Sequence, residues 1–115
     1  MEGNDSLGIY MNKEKGVELI RRSAELGFVD AQYRLGVCYA EGQGVPQDDE
    51  QAVYWYRKVA EQGDVRGQWK LGVCYEEGRG VSQDYAQVVY WYRKAAEQGY
   101  VWAQNNLGSY YSQGL

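Results

Sequence analysis

The chain says the same phrase twice, and that repetition narrows its possible folds more than any other feature. LGVCYAEGQGVPQD begins at Leu35 and LGVCYEEGRGVSQD begins at Leu71. Residues 31–63 laid over residues 67–99 match at 23 of 33 positions, with a shift of 36. The register runs on in both directions. Gly27, Gly63 and Gly99 align, as do Leu35-Gly36, Leu71-Gly72 and Leu107-Gly108, and Gly8-Ile9 falls on Gly44-Val45 and Gly80-Val81. A fixed period of this size marks an array of small units that bury apolar faces against one another.

Each period holds two helical patterns. Ala31, Leu35, Cys38 and Tyr39 fall at i, i+4, i+7 and i+8, one stripe of an amphipathic helix. Ala52, Trp55, Tyr56, Val59 and Ala60 mark a second stripe, repeated at Val88, Trp91, Tyr92, Ala95 and Ala96 and, more weakly, at Gly16, Leu19, Ile20, Ser23 and Ala24. With the first type named A and the second B, the chain reads B-A-B-A-B-A. Asp48 and Asp84 stand where B helices begin, each with a glutamine three residues on, as in a capping box; Asn12 holds that position in the first copy. Gly63 and Gly99 close the B helices, and Gly42 and Gly78 close the A helices. Gly36, Gly72 and Gly108 lie inside A helices, where each costs about 1 kcal/mol relative to alanine. Close approach of a B-helix aromatic to the bare backbone is the expected compensation.

Glycines this dense also raise the question of a phosphate-cradling loop. Such loops need a strand before the glycines and a helix after them. Here a helix precedes them, no strand pattern exists, and neither G-x-G-x-x-G nor G-x-x-x-x-G-K is completed. The glycines therefore read as helix-turn-helix connectors.

Composition removes whole classes of function. The 115 residues carry a formal charge of −4, which argues against nucleic acid or an anionic membrane surface as partner. There is no histidine, so histidine-based triads and most catalytic zinc sites are excluded. Glu41, Glu76 and Glu77 are available to a hydrolase, yet their spacing singles out no acid and base, and they read as solvated surface. Asp48, Asp49 and Glu50 read as a favourable helix N-terminus rather than a metal site. No enzyme activity and no cofactor is expected. No apolar run reaches the roughly 20 residues of a membrane span. The opening residues lack the basic stretch and apolar core of a signal peptide, which leaves the compartment open.

The run A-x-x-x-L-G-x-x-Y-x-x-G-x-G-V-x-x-D followed by W-Y-R-K-x-A-E-Q-G resembles the Sel-one-like repeat, a relative of the tetratricopeptide repeat, from Gly8 to Gly114. The resemblance implies an all-α fold, a right-handed α-solenoid of stacked antiparallel helix pairs. A helices would line a concave groove and B helices would lie outside. It divides the single array into residues 1–27, 28–63, 64–99 and 100–115. The departures are the missing Trp-Tyr pair in the first B helix and Gly67 in place of the alanine that opens the middle A helix. Some relatives staple each helix pair with a disulfide. Here Cys38 and Cys74 occupy equivalent positions of neighbouring A helices, about 8–10 Å apart by axis, too far for a bridge. Two reduced thiols are expected.

The resemblance also implies a function: an adaptor that holds partner proteins or peptides. Positions that vary between copies are free to specialise. Carried over from tetratricopeptide arrays, the groove holds Tyr33, Val37, Arg66, Trp69, Val73, Trp102 and Asn105, with Arg34 and Lys70 near its edge. Aromatics beside arginine are the usual substance of binding hot spots. The basic residues suit a partner with an acidic side chain or C-terminal carboxylate. A competing reading has Tyr33 and Trp69 fill the space between A helices. The constant Trp55 and Trp91 read as core. Other functions weighed are glycan or small-molecule binding in the aromatic groove, and end-to-end self-association. The latter follows because Leu107, Tyr110 and Tyr111 are expected on a face that no B helix covers in a stack lacking a polar cap. The chain reads as an excerpt of a longer array or an engineered piece.

Overall fold

A computed structural model describes residues 2–114, and side chains over 12–114. Six helices follow one another: α1 (Glu2–Glu25), α2 (Val29–Glu41), α3 (Asp49–Glu61), α4 (Val65–Glu77), α5 (Tyr85–Glu97) and α6 (Val101–Ser112). Odd-numbered helices are type B and even-numbered ones type A. Each packs chiefly on its neighbours in sequence, so contacts propagate along one axis. The Cα radius of gyration is 16.5 Å, against about 13 Å for a compact domain of similar size. The molecule is an elongated all-α solenoid.

The predicted stripes form the core. Leu35, Leu71, Val59, Val88 and Tyr92 are fully buried, and Trp55 and Trp91 are 6% and 7% exposed. Apolar side chains gather in three clusters spaced along the stack. The indole N–H groups of Trp55 and Trp91 find no protein acceptor, which leaves burial and packing as the basis of both positions. Leu107 is buried in the last cluster against Val88, Tyr92 and Ala95 of α5. The sequence placed it on an uncovered face. The helix before it suffices to cover it, and Tyr111, at 53% exposed, is what remains open.

Helix ends follow the punctuation with two differences. Asp48 accepts from the Gln51 N–H at 3.2 Å, and Asp84 from the N–H groups of Ala86 and Gln87 at 3.0 and 3.3 Å. No reciprocal glutamine bond closes either box. The cap residues' own N–H groups donate instead to the A-helix carbonyls of Tyr39 and Tyr75, at 2.9 and 3.2 Å. The cap is thereby tied to the preceding helix rather than to itself. Gly42 and Gly78 end α2 and α4 with φ of 69° and 67°, a left-handed turn that glycine adopts at least cost.

The second difference lies in the first copy. Asn12 and Gly8-Ile9 were read as a cap and a connector, but α1 runs unbroken through them. Ser6 stands where Gly42 and Gly78 end a helix, and Tyr10 where Pro46 stands, so neither breaker is present to interrupt it.

The internal glycines of the A helices are explained by contact. A Cβ on Gly36 would lie 2.7 Å from Tyr56 Cε1, and one on Gly72 would lie 2.5 Å from Tyr92 Cε1. Each B-helix tyrosine lies directly on the backbone of the A helix before it. Among the described residues, nothing lies within 4 Å of the missing Cβ of Gly108.

Candidate functional site

The A helices carry the nine predicted binding residues, and the fold distributes them into three groups. In the first, on α2, the Tyr33 ring lies 6.1 Å from the Tyr56 ring. Burial pushes its hydroxyl's pKa up, and the nearby Arg66 guanidinium partly opposes that. Val37 is half-buried one turn along, and Arg34 is exposed beside them. Tyr33, Arg34 and Val37 line a depression of about 270 Å³ with Ile20, Cys38 and Gln43.

Arg66 belongs to two surroundings at once. Its guanidinium sits 4.9 Å above the Tyr33 ring, a cation–π arrangement. It also donates to both carboxylate oxygens of Asp64, at 3.1 and 2.8 Å, and to Asp30 at 2.6 Å. These hydrogen bonds hold the Asp64 carboxyl below its ordinary range and keep Arg66 charged. Arg66 thus bridges α2 and α4, with its donors largely committed inside the protein. The basic side chains nearest the expected groove without such a double commitment are Arg34 and Lys70. Among the described residues neither has a carboxylate within ion-pairing distance.

In the second group, on α4, Trp69 stacks on Tyr92 with centroids 4.8 Å apart and an interplanar angle of 19°. The Tyr100 ring lies 5.2 Å away, tilted by 50°. Trp69 and Val73 both pack, half-buried, against the cluster around Val88, Tyr92 and Leu107. Trp69 therefore fills inter-helix space while keeping part of its surface outside. The third group, Trp102 and Asn105 on α6, is exposed, Trp102 at 63%.

Three features were not legible beforehand. Glu76, read as solvated, is half-buried and accepts from the hydroxyls of Tyr92, at 3.2 Å, and Tyr110. Burial first and this carboxylate second raise both phenol pKa values. The signal lay in paired variation, since Glu76 and Tyr110 depart together from their counterparts Ala40 and Cys74. Gln32 and Gln68 are buried. Gln62 and Gln98 donate to their side-chain oxygens at 2.5 and 2.8 Å, which ties each A helix to the end of the next B helix. Their recurrence at a 36-residue interval marked them, but polarity hid their burial. Tyr100, beside Trp69, was the third.

Elsewhere the chemistry is accounted for locally. Cys38 and Cys74 are free thiols, and burial raises both, Cys74 to about 11. Both are poor nucleophiles as a result. Asp49 pairs with Arg79 at 3.1 Å, and Asp48 caps α3. Among the described residues no helix is long and apolar enough to cross a membrane, and no cluster of metal-ligating side chains occurs.

Comparison with known proteins places this geometry in context. The family model described as the Sel1 repeat matches residues 3–28, 29–64, 65–100 and 103–115. Among solved structures, a protective antigen of uropathogenic Escherichia coli strains displaying an SLR fold superposes with a TM-score of 0.86 at 45% identity. That match covers 96% of this chain and 25% of the antigen. A Sel1 repeat protein from Oxalobacter formigenes gives 0.84 at 39% identity, covering 88% and 42%. Cysteine rich protein B of Helicobacter pylori gives 0.77 at 28% identity, covering 83% and 71%. The chain spans a quarter of the first of these proteins and under half of the second. The comparison with curated proteins finds no match.

Proposed function

The chain belongs to the Sel1 repeat family, and from that premise we propose that it is a non-catalytic interaction module that holds a partner protein or peptide along the groove of its A helices. Repeats of this kind commonly mediate protein interactions. The observation that carries the reading is a division of labour between positions. Apolar side chains of the helical stripes that hold steady between copies, such as Leu35 and Leu71 or Trp55 and Trp91, are buried. Those that vary, such as Arg34, Trp102 and Asn105, lie exposed on the A helices. A frame needs the first set and has no use for the second.

The chemistry of these A-helix positions suits a particular partner. Exposed Arg34 and half-buried Lys70 are basic side chains in an acidic protein, and Trp102 offers apolar area at low entropic cost. A peptide with acidic groups beside apolar ones matches them.

Selection of peptides from a random display library on the wild-type protein tests the reading. Selected peptides are expected to lose about tenfold in affinity or more when Trp102→Ala and Lys70→Glu are combined. They are expected to keep their affinity with Tyr90→Ala on the B-helix surface. Binding that ignores the first variant and follows the second would move the interface to the other face.

A further inference from the structure

The first B helix departs from the other two at one position that shapes the groove. Ile20 stands where α3 has Tyr56 and α5 has Tyr92. In the later copies those phenols are structural. Each ring lies on the glycine of the A helix before it, and the Tyr92 hydroxyl donates to Glu76 on that helix at 3.2 Å, with Asn106 of the following A helix beside it. Tyr92 is fully buried and Tyr56 is 3% exposed. In the first copy the shorter isoleucine leaves that space unfilled. The depression of about 270 Å³ described above lies there, lined in part by Ile20, Cys38 and Gln43. It is the size of a side chain.

The residue that would meet a phenol in this slot is basic. Arg34 is the counterpart of Lys70 and Asn106. It is exposed at the rim, and among the described residues no carboxylate pairs with it. The slot thus has the outline of a tyrosine and a charged donor at the hydroxyl end.

We propose that a tyrosine side chain of the bound partner enters this slot and donates its ring to the place that Tyr56 and Tyr92 fill from within the chain, with its hydroxyl oxygen accepting from Arg34. The inference rests on the groove reading above and adds to it a specific side chain. Two independent features support that choice of occupant: the chain's own phenols at the two equivalent positions, and Arg34, a cation with no carboxylate partner among the described residues, in the lining of the slot.

The test uses the wild-type chain at low concentration with methyl-labelled isoleucine and valine, and a short acidic peptide carrying one central tyrosine. The peptide is expected to shift the Ile20 and Val37 methyl signals. Phenylalanine at the central position is expected to bind about tenfold more weakly, and alanine more weakly still. Arg34→Ala is expected to remove the preference for tyrosine over phenylalanine while leaving phenylalanine's affinity unchanged, which a merely structural role would not do. Ile20→Tyr, which installs the chain's own phenol, is expected to keep or raise stability and to abolish binding. Equal affinity for the tyrosine and alanine peptides overturns the slot. So do signals that move only at Val73, although the groove reading then survives. Ile20 signals that move with protein concentration alone would assign the slot to a second copy and overturn it too. No methyl shift anywhere on the A helices would sink both readings.

Discussion

Small differences between equivalent residues carry most of the energetic argument, because each copy is a control for the others. Gly72 and Gly108 occupy the same place in the period, yet one faces the Tyr92 ring and the other faces open space. Gly72→Ala is expected to destabilise by about 1–3 kcal/mol through overpacking. Gly108→Ala should stabilise by about 1 kcal/mol through helix propensity alone. Urea denaturation of the two variants checks this, and equal effects would contradict the packing account. Gly67, a departure from the family pattern, follows the same logic. A Cβ there would lie 2.5 Å from the backbone nitrogen of Ala60 and 2.7 Å from the Cβ of Val59. Glycine lets the α3 and α4 backbones approach closely at this junction. These glycines were legible as anomalies, because a helix interior has no ordinary use for them. Arg66 was legible only as a variable basic residue. Its pairing with Asp30, 36 positions away, depends on how successive A helices meet, which a one-dimensional period does not encode.

At the scale of the helix, ends and junctions decide stability. The caps Asp48 and Asp84 and the terminating glycines were readable because they are local, set by groups within a turn. The unbroken α1 was not, since the aligned register suggested a connector there and only the missing breakers tell against one. Asp64 shows how a cap and a junction combine. Its carboxylate caps α4 through the Arg66 N–H at 2.9 Å and binds the Arg66 side chain. Hydrogen bonds from Arg66 hold it below the ordinary value of 3.8. A carboxyl depressed in the folded state adds stability above its unfolded pKa and loses it as pH falls through the folded one. Asp64→Asn keeps a competent cap but removes the charge. It is expected to lower stability at neutral pH and to flatten the decline over the acid interval in which ordinary carboxylates, and then this depressed one, take up their protons. Denaturant titrations across that interval would show it, and an unchanged acid slope would contradict the assignment.

For the molecule as a whole, the order of packing separates frame from face. Because each helix leans chiefly on its sequence neighbours, the B helices and the inner stripe of the A helices hold the stack. The remaining A-helix surface is left free to vary. The frame was legible in the sequence through its period. The face was legible only as a set of variable positions, since the vacancy beside Ile20 and the commitment of Arg66 arise from three-dimensional contact. The most direct measurement is a mutational scan that reads folded fraction and binding of a selected peptide for every position at once. Substitutions at Trp55, Tyr56, Leu71, Gly72 and Trp91 are expected to reduce the folded fraction. Those at Arg34, Lys70, Trp102 and Asn105 are expected to reduce binding with the folded fraction unchanged. Binding-only positions concentrated on the B helices at Tyr54, Tyr90 and Lys94, with none on the A helices, would contradict the account.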